Sequence, residues 1–174
     1  MGFEVKLTQG VRIALSLGSN VGDKVANLRN ALARLESEAE IELDAVSRFY
    51  RTEPWGQTDQ DWFVNACAIG RTSMSPVDML RRCKTLEIEI GRTPGPRWGP
   101  RVIDIDLLFF GDMELRTDDL TLPHPEMFNR AFVLVPLAEI ASDQSIAGRR
   151  IGEAAESLQR AGGGIILLDD PSLL

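Results

Sequence analysis

Asp104-Ile105-Asp106 interrupts an otherwise apolar run from Val102 to Phe110. In a strand, successive side chains face opposite sides, so Asp104 and Asp106 share one face while Ile103, Ile105 and Leu107 share the other. Two residues of strand rise set the carboxylates roughly 6.6 Å apart. At an effective dielectric of about 20 they repel by about 2.5 kcal/mol, so the pair calls for positive charge. A divalent cation is one answer, since Mg²⁺ usually takes one or two carboxylates and completes its shell with water and phosphate oxygens. The other is neutralisation by Arg97 and Arg101, which precede the pair in a Pro- and Gly-broken loop.

The neighbouring charge favours an anionic ligand. Between Arg81 and Arg101 the chain carries Arg81, Arg82, Lys84, Arg92, Arg97 and Arg101 against only Glu87 and Glu89. The whole chain of 174 residues nevertheless has a net charge of −7. That argues against a general nucleic-acid binder, which needs a basic face to displace counterions. Salt screens exposed charges beyond roughly 8 Å at physiological strength, so a small polyanion would feel the arginine cluster more than the distant acidic surface. Cys67 and Cys83 sit in apolar company without zinc spacing, as inert buried thiols do. No basic-then-apolar signal opens the chain, and no apolar stretch approaches the ~20 residues of a membrane span. The expectation is a cytoplasmic, reduced protein with no membrane partner. A single domain over residues 1–174 is expected, with 1–10 a loosely attached lead-in.

The elements that must position these residues follow from periodicity. Val11 to Leu17 reads as a first strand ending at Gly18-Ser19-Asn20. Asp23 can cap a helix whose Val25, Leu28, Leu32 and Leu35 recur at helical spacing. Ile41 to Arg51 reads as a second strand and Phe63 to Arg71 as a third. Ser75-Pro76-Val77-Asp78 is a compact helix start. Met79, Cys83, Leu86 and Ile90 form that helix's apolar stripe, and Gly91 stops it. The Asp104/Asp106 strand follows, then a hairpin-like return through Gly111-Asp112, a helix over Ala131 to Ile140, a helix near Ile151 to Arg160 and a short strand at Ile165 to Leu168. Strand, helix, strand, strand, helix, strand is the order of a ferredoxin-like α+β domain (a βαββαβ core, an antiparallel sheet with helices), here with additional C-terminal strands and helices.

Several stretches, in order, carry a family resemblance. Arg97-Trp98-Gly99-Pro100-Arg101 followed by Asp104-Ile105-Asp106 is similar to the signature of the 6-hydroxymethyl-7,8-dihydropterin pyrophosphokinases of the folate pathway. Leu17-Gly18-Ser19-Asn20, Phe49-Tyr50-Arg51-Thr52, Phe63-Val64-Asn65-Ala66, Leu122-Pro123-His124, Asn129-Arg130 and Phe132 resemble further parts of that family, from about Arg12 to about Ala141. The resemblance implies transfer of a pyrophosphoryl group from ATP to the pterin hydroxymethyl oxygen with release of AMP. It implies a monomer acting on small molecules, with two Mg²⁺ ions held by Asp104 and Asp106. In such arrangements the metals lie about 3.5–4 Å apart, and one Asp can bridge both.

The same resemblance assigns roles. Arg97, Trp98, Arg101, Asp104 and Asp106 form its catalytic set. Glu87, Arg92, Arg97, Arg101, Thr121, His124 and Arg130 would bind ATP, the arginines through forked donors that suit phosphate oxygens. Thr52, Trp55, Phe63, Asn65 and Phe132 would bind the pterin, Asn65 through an amide edge and the aromatics by stacking. Each role has a plainer counterpart: a solvated basic loop for the arginines, an exposed turn residue for His124, a helix-surface charge for Arg130. For Glu87 it is an i,i+3 pair with Lys84, and for the aromatics, Phe132 above all, core packing. Trp98 would help seal the site from water. The Arg92–Trp98 loop is about one residue shorter than the common family pattern, and Pro94 and Pro96 stiffen it. Lys84 stands where glutamine is common, Phe63 where tyrosine is, and Trp55 where a smaller apolar residue is. No general base is evident beyond Asp106. The rival readings are a metal-dependent phosphohydrolase using the same Asp pair, and a ligand-binding domain without turnover.

Overall fold

The computed structural model describes residues 10–54, 58–97, 99–162 and 164–168. Its strands are β1 (Val11–Ser19), β2 (Ile41–Val46), β3 (Tyr50–Thr52), β4 (Phe63–Thr72), β5 (Asp104–Phe110), β6 (Leu115–Arg116), β7 (Thr121–Leu122), β8 (Ser145–Ile146), β9 (Arg149–Arg150) and β10 (Ile165–Leu167). The helices are α1 (Lys24–Glu36), α2 (Pro76–Ile90), α3 (Ala131–Ala141) and α4 (Ile151–Arg160). The main sheet is antiparallel, ordered β10-β3-β4-β1-β5, with β2 also paired to β4.

Local chemistry sets the element ends. Asp23 accepts the Ala26 N–H at 3.0 Å at the start of α1. Ser75 accepts the Asp78 N–H at 3.1 Å, with Pro76 in the first turn of α2. Gly91 ends α2 at φ 120°, a backbone region that L side chains rarely adopt. The expected single strand over Ile41 to Arg51 is two strands instead. Between them, buried Ser47 donates its N–H to the Cys67 carbonyl at 2.8 Å, while its Oγ accepts the Cys67 N–H at 2.9 Å. A side chain thus takes over part of the ladder at the break. The return after Gly111 does not pair with β5 either: β6 pairs with β7 in a separate ribbon.

Alternation divides the core into two layers. On one face, Ile13, Leu15, Leu17, Ile105 and Leu107 pack with Val25, Leu28 and Leu35 of α1 and Met79, Cys83 and Leu86 of α2. On the other, Ala14, Cys67, Ile69, Leu108 and Phe109 pack with Val133, Leu134 and Leu137 of α3, which is backed by α4. Each large apolar side chain buried this way contributes roughly 1.5–3 kcal/mol. The second face continues past this cluster through Ser16 and Gly18 of β1, Asn65 of β4 and Asp104 and Asp106 of β5, all of which line a cavity. Among the described residues, no helix is long and apolar enough to cross a membrane.

Candidate active site

The sheet register assembles the floor of that cavity. Gly18 is paired with Asn65 on one side and Asp104 on the other, and Ser16 with Cys67 and Asp106. Neighbouring strands lie about 4.8 Å apart, so Asn65 and Asp104 stand roughly 10 Å apart across Gly18. Only small residues occupy β1 between them. A Cβ on Gly18 would lie 2.6 Å from Asn65 Oδ1, closer than any relaxed contact, so the glycine lets the amide sit over the strand. The cavity has a volume of about 410 Å³, within the usual range for small-molecule sites.

On the β5 side the two carboxylates differ. Asp104 Oδ1 accepts from Arg101 Nη1 at 2.7 Å and from Arg92 Nη1 at 2.9 Å. Burial pushes its carboxyl up, but Lys84, Arg101 and Arg92 together pull it below the ordinary value. Around Asp106, Lys84 Nζ stands at 3.9 Å, and His124 Nε2 and Arg130 Nη1 at 4.0 Å, all beyond hydrogen-bonding distance. Burial, and then the neighbouring Asp104 charge, push Asp106 above its ordinary value.

The cations reach this side from three elements. The Gly99 N–H donates to the Pro96 carbonyl at 3.0 Å, closing a turn that places Arg97 at the cavity rim. A Cβ on Gly99 would meet Pro96 Cγ at 2.8 Å. Arg101 is anchored through its backbone: its N–H donates to Asn20 Oδ1 at 2.8 Å and its carbonyl accepts the Asn20 N–H at 3.1 Å. The Asn20 amide also donates to Gln60 Oε1 at 2.9 Å and the Asp61 carbonyl at 3.1 Å, tying the 58–62 loop to the loop before β5. His124 follows the cis Leu122–Pro123 peptide, and its N–H donates to the Leu108 carbonyl at 2.7 Å. Its Nδ1 accepts the Glu126 N–H at 3.1 Å, so the neutral ring carries its proton on Nε2, the nitrogen facing Asp106. Burial holds the His124 pKa below its ordinary value, Arg130 adding to the effect and Asp106 opposing it. Arg130 is buried at the N-cap of α3.

On the β4 side, Asn65 is buried and its amide donates to Thr52 Oγ1 at 2.6 Å. Phe63 and Phe132 line this half. Phe132 also packs against the α3 core and lies under Arg130, whose guanidinium carbon is 5.7 Å from the ring centroid.

Thr52, Phe63, Asn65, Arg97, Arg101, Asp104, Asp106, His124, Arg130 and Phe132 therefore meet around one cavity. Glu87, Arg92 and Thr121 are not among its lining residues. Glu87 is buried and accepts from Ile105 N–H at 2.6 Å, Lys84 Nζ at 2.9 Å and Arg92 Nη1. Arg92 joins Glu87 to Asp104. Thr121 pairs with Arg116 in the β6–β7 ribbon. Trp55 and Trp98 lie outside the described residues, as do residues 1–9 of the expected lead-in. Ser16, Glu53 and Glu126 line the cavity without having been singled out, and Gly18, quoted only within a motif, lines it too. Ser16 and Gly18 alternate on β1 toward the same face as the aspartates, a signal visible only once the strand order is known.

The donors suit a hard cation. Among the described residues no three His, Cys, Asp or Glu side chains converge as a metal cage, whereas two carboxylates plus substrate phosphate oxygens are what Mg²⁺ takes. Asp106, from which Lys84, His124 and Arg130 stand 3.9–4.0 Å away, would be the more open of the two to a metal.

Comparison with known proteins identifies the family. The profile of the 7,8-dihydro-6-hydroxymethylpterin-pyrophosphokinase (HPPK) family matches residues 14–142. A 2-amino-4-hydroxy-6-hydroxymethyldihydropteridine pyrophosphokinase of Methylorubrum extorquens is 47% identical over 151 residues, covering 87% of this chain and 96% of the relative. A Bacillus subtilis protein of the same name is 44% identical over 126 residues, covering 72% and 75%. Among solved structures, an HPPK-DHPS crystallised in complex with substrates superposes with a TM-score of 0.72 at 14% identity over 88% of this chain. This chain spans only 44% of that longer one, and at that identity the likeness is one of fold. With the profile matched over most of its length and relatives above 40% identity, the chain belongs to the 7,8-dihydro-6-hydroxymethylpterin-pyrophosphokinase family.

Proposed function

We propose that the cavity over Ser16 and Gly18 is where this chain carries out the family's reaction. That reaction is transfer of pyrophosphate from ATP to the hydroxymethyl group of 6-hydroxymethyl-7,8-dihydropterin in folate biosynthesis, with AMP released. The observation that carries this reading is the register of β1, which sets Asn65 and the Asp pair on opposite sides of a floor without large side chains. A flat heterocycle on the Asn65, Phe63 and Phe132 side would lay its hydroxymethyl arm across Gly18 toward β5. A triphosphate on the β5 side would meet Arg97, Arg101, His124 Nε2–H and Arg130. In-line attack at the β-phosphorus needs that positioning, together with stabilisation of charge growing on the phosphate oxygens.

Two Mg²⁺ ions held by Asp104 and Asp106 would neutralise phosphate charge and polarise the attacking hydroxyl. Arg101 takes part of the Asp104 charge and stands ready to move onto phosphate. Glu87 and Arg92 act from behind the strand as positioning residues rather than as ATP contacts. The strand order further supports a ferredoxin-like core, and we read the chain as one domain acting as a cytoplasmic monomer.

The test mixes the protein with Mg-ATP and the pterin and follows AMP. AMP that appears only with pterin present is expected. Pterin-independent phosphate release would favour the phosphohydrolase, and binding of both ligands without AMP would favour a domain without turnover.

A further inference from the structure

Among the described strands, β5 pairs only with β1, so the outer side of its backbone faces no neighbouring strand. At Ile105, the residue between the two aspartates, side chains of α2 take that place. Glu87 Oε1 accepts the Ile105 N–H at 2.6 Å, and Lys84 Nζ donates to the Ile105 carbonyl at 3.2 Å. Lys84 and Glu87 close the ring at 2.9 Å. A backbone unit that would otherwise need water or another strand is thereby held by a matched charge pair. Arg92, just past the end of α2, bonds Asp104. Lys84 performs no such act for Asp106: its ammonium stops 3.9 Å from Oδ1, close enough for strong attraction and too far for a bond.

An ammonium has three N–H donors. Two directions are taken by Glu87 and the Ile105 carbonyl. Its charge therefore stands fixed beside Asp106 by contacts that do not depend on Asp106. A divalent cation arriving at that carboxylate meets a positive charge that cannot leave without breaking the ring at the strand edge.

We infer that Lys84 is a positioning residue that braces the peptide between the two aspartates and, from that fixed place, competes with the divalent cation at Asp106, setting the metal demand of the site. The inference rests on the metal reading above and adds a determinant of how tightly the metal is held. Lys84→Gln keeps a donor for the Ile105 carbonyl and removes the charge, while Lys84→Arg keeps the charge.

The experiment titrates Mn²⁺ into wild type and both variants with a non-hydrolysable ATP analogue present, reading unbound Mn²⁺ by electron paramagnetic resonance, with a thermal melt of each protein. Lys84→Gln is expected to bind Mn²⁺ roughly two- to fivefold more tightly, the scale of a partly exposed ion pair, with Lys84→Arg close to wild type. In an Asp106→Ala background the Lys84→Gln effect should vanish. If wild type binds Mn²⁺ but Lys84→Gln binds it equally or more weakly, or if the gain persists without Asp106, the inference is overturned and Lys84 serves only the strand edge. If Lys84→Gln melts too low to titrate, Lys84→Met gives the same readings. A wild type that binds no Mn²⁺ beyond the analogue alone would overturn the metal reading itself, and this inference with it.

Discussion

The two sides of the cavity are built on different principles. On the β5 side, Asp104, Asp106, Glu87, Lys84, Arg92, Arg101, His124 and Arg130 form a lattice of charges in which Asp104 is bonded twice and Asp106 has only neighbours at 3.9–4.0 Å. On the β4 side, the Asn65 amide held by Thr52 and two aromatic rings line the cavity, with Glu53 next to Thr52 as the acidic side chain there. The β5 side, on the proposed reading, takes a ligand that brings both negative charge and cations. The β4 side, on the same reading, takes the flat heterocycle. Ser16 and Gly18 of β1 join them, so what separates the two chemistries is the absence of large side chains on that part of the strand face.

The comparison breaks first at Asp106. Replacing it with alanine should lower AMP formation by at least about a thousandfold, the scale of losing a transition-state charge stabiliser, while circular dichroism stays unchanged, because the described cations nearest its carboxylate stand at 3.9–4.0 Å. Asp104→Ala should lose activity equally but also stability, by about 2 kcal/mol for two charged hydrogen bonds, or about 4–8 °C in melting temperature. Equal stability of the two variants would contradict the contrast between them.

Arg101→Ala comes next. With the backbone still bonded to Asn20, the variant should fold and lose roughly a hundredfold in kcat with pterin affinity nearly unchanged. Parallel loss of both, read by kinetics and calorimetry, would mean that the loop had collapsed. On the other side, Gly18→Ala would push a methyl group against Asn65 Oδ1. Pterin affinity should fall about tenfold, a cost of about 1.4 kcal/mol, with ATP-analogue affinity spared; titration of each ligand alone separates the two.

The smallest effect is in pH. The His124 pKa is lowered by burial from its ordinary 6.5, so below pH 6.5 the unfolded chain binds more protons at this residue than the folded chain does. Stability then falls as pH drops from 6.5 toward the lowered value and levels off beneath it. His124→Gln should flatten that slope in denaturant titrations at pH 7 and pH 5.5. An unchanged slope would mean that the ring titrates alike in the folded and unfolded chain.

The sequence made much of the β5 side legible because period two alone puts Asp104 and Asp106 on one face, and helix-capping chemistry predicted Asp23 and Ser75 correctly. The break between β2 and β3 was not legible: it depends on Ser47 bonding Cys67 across the sheet, and nothing local to Ser47 marks it. The bonding of Arg92 and Glu87 was not legible for a related reason. The family resemblance placed both near ATP; their bonds among the described residues run to Asp104 and to the backbone of Ile105, which only the packing of α2 against β5 reveals. The Lys84–Glu87 pair expected from spacing exists, yet its purpose lies on the neighbouring strand.

The most direct measurement is a crystal structure with Mg²⁺, a non-hydrolysable ATP analogue and the pterin. Metal density is expected about 2.0–2.1 Å from oxygens of Asp104 and Asp106, with phosphates against Arg101 and Arg130 and the pterin ring beside Asn65. A triphosphate bound elsewhere, or a cavity filled with no metal on either aspartate, would contradict this expectation.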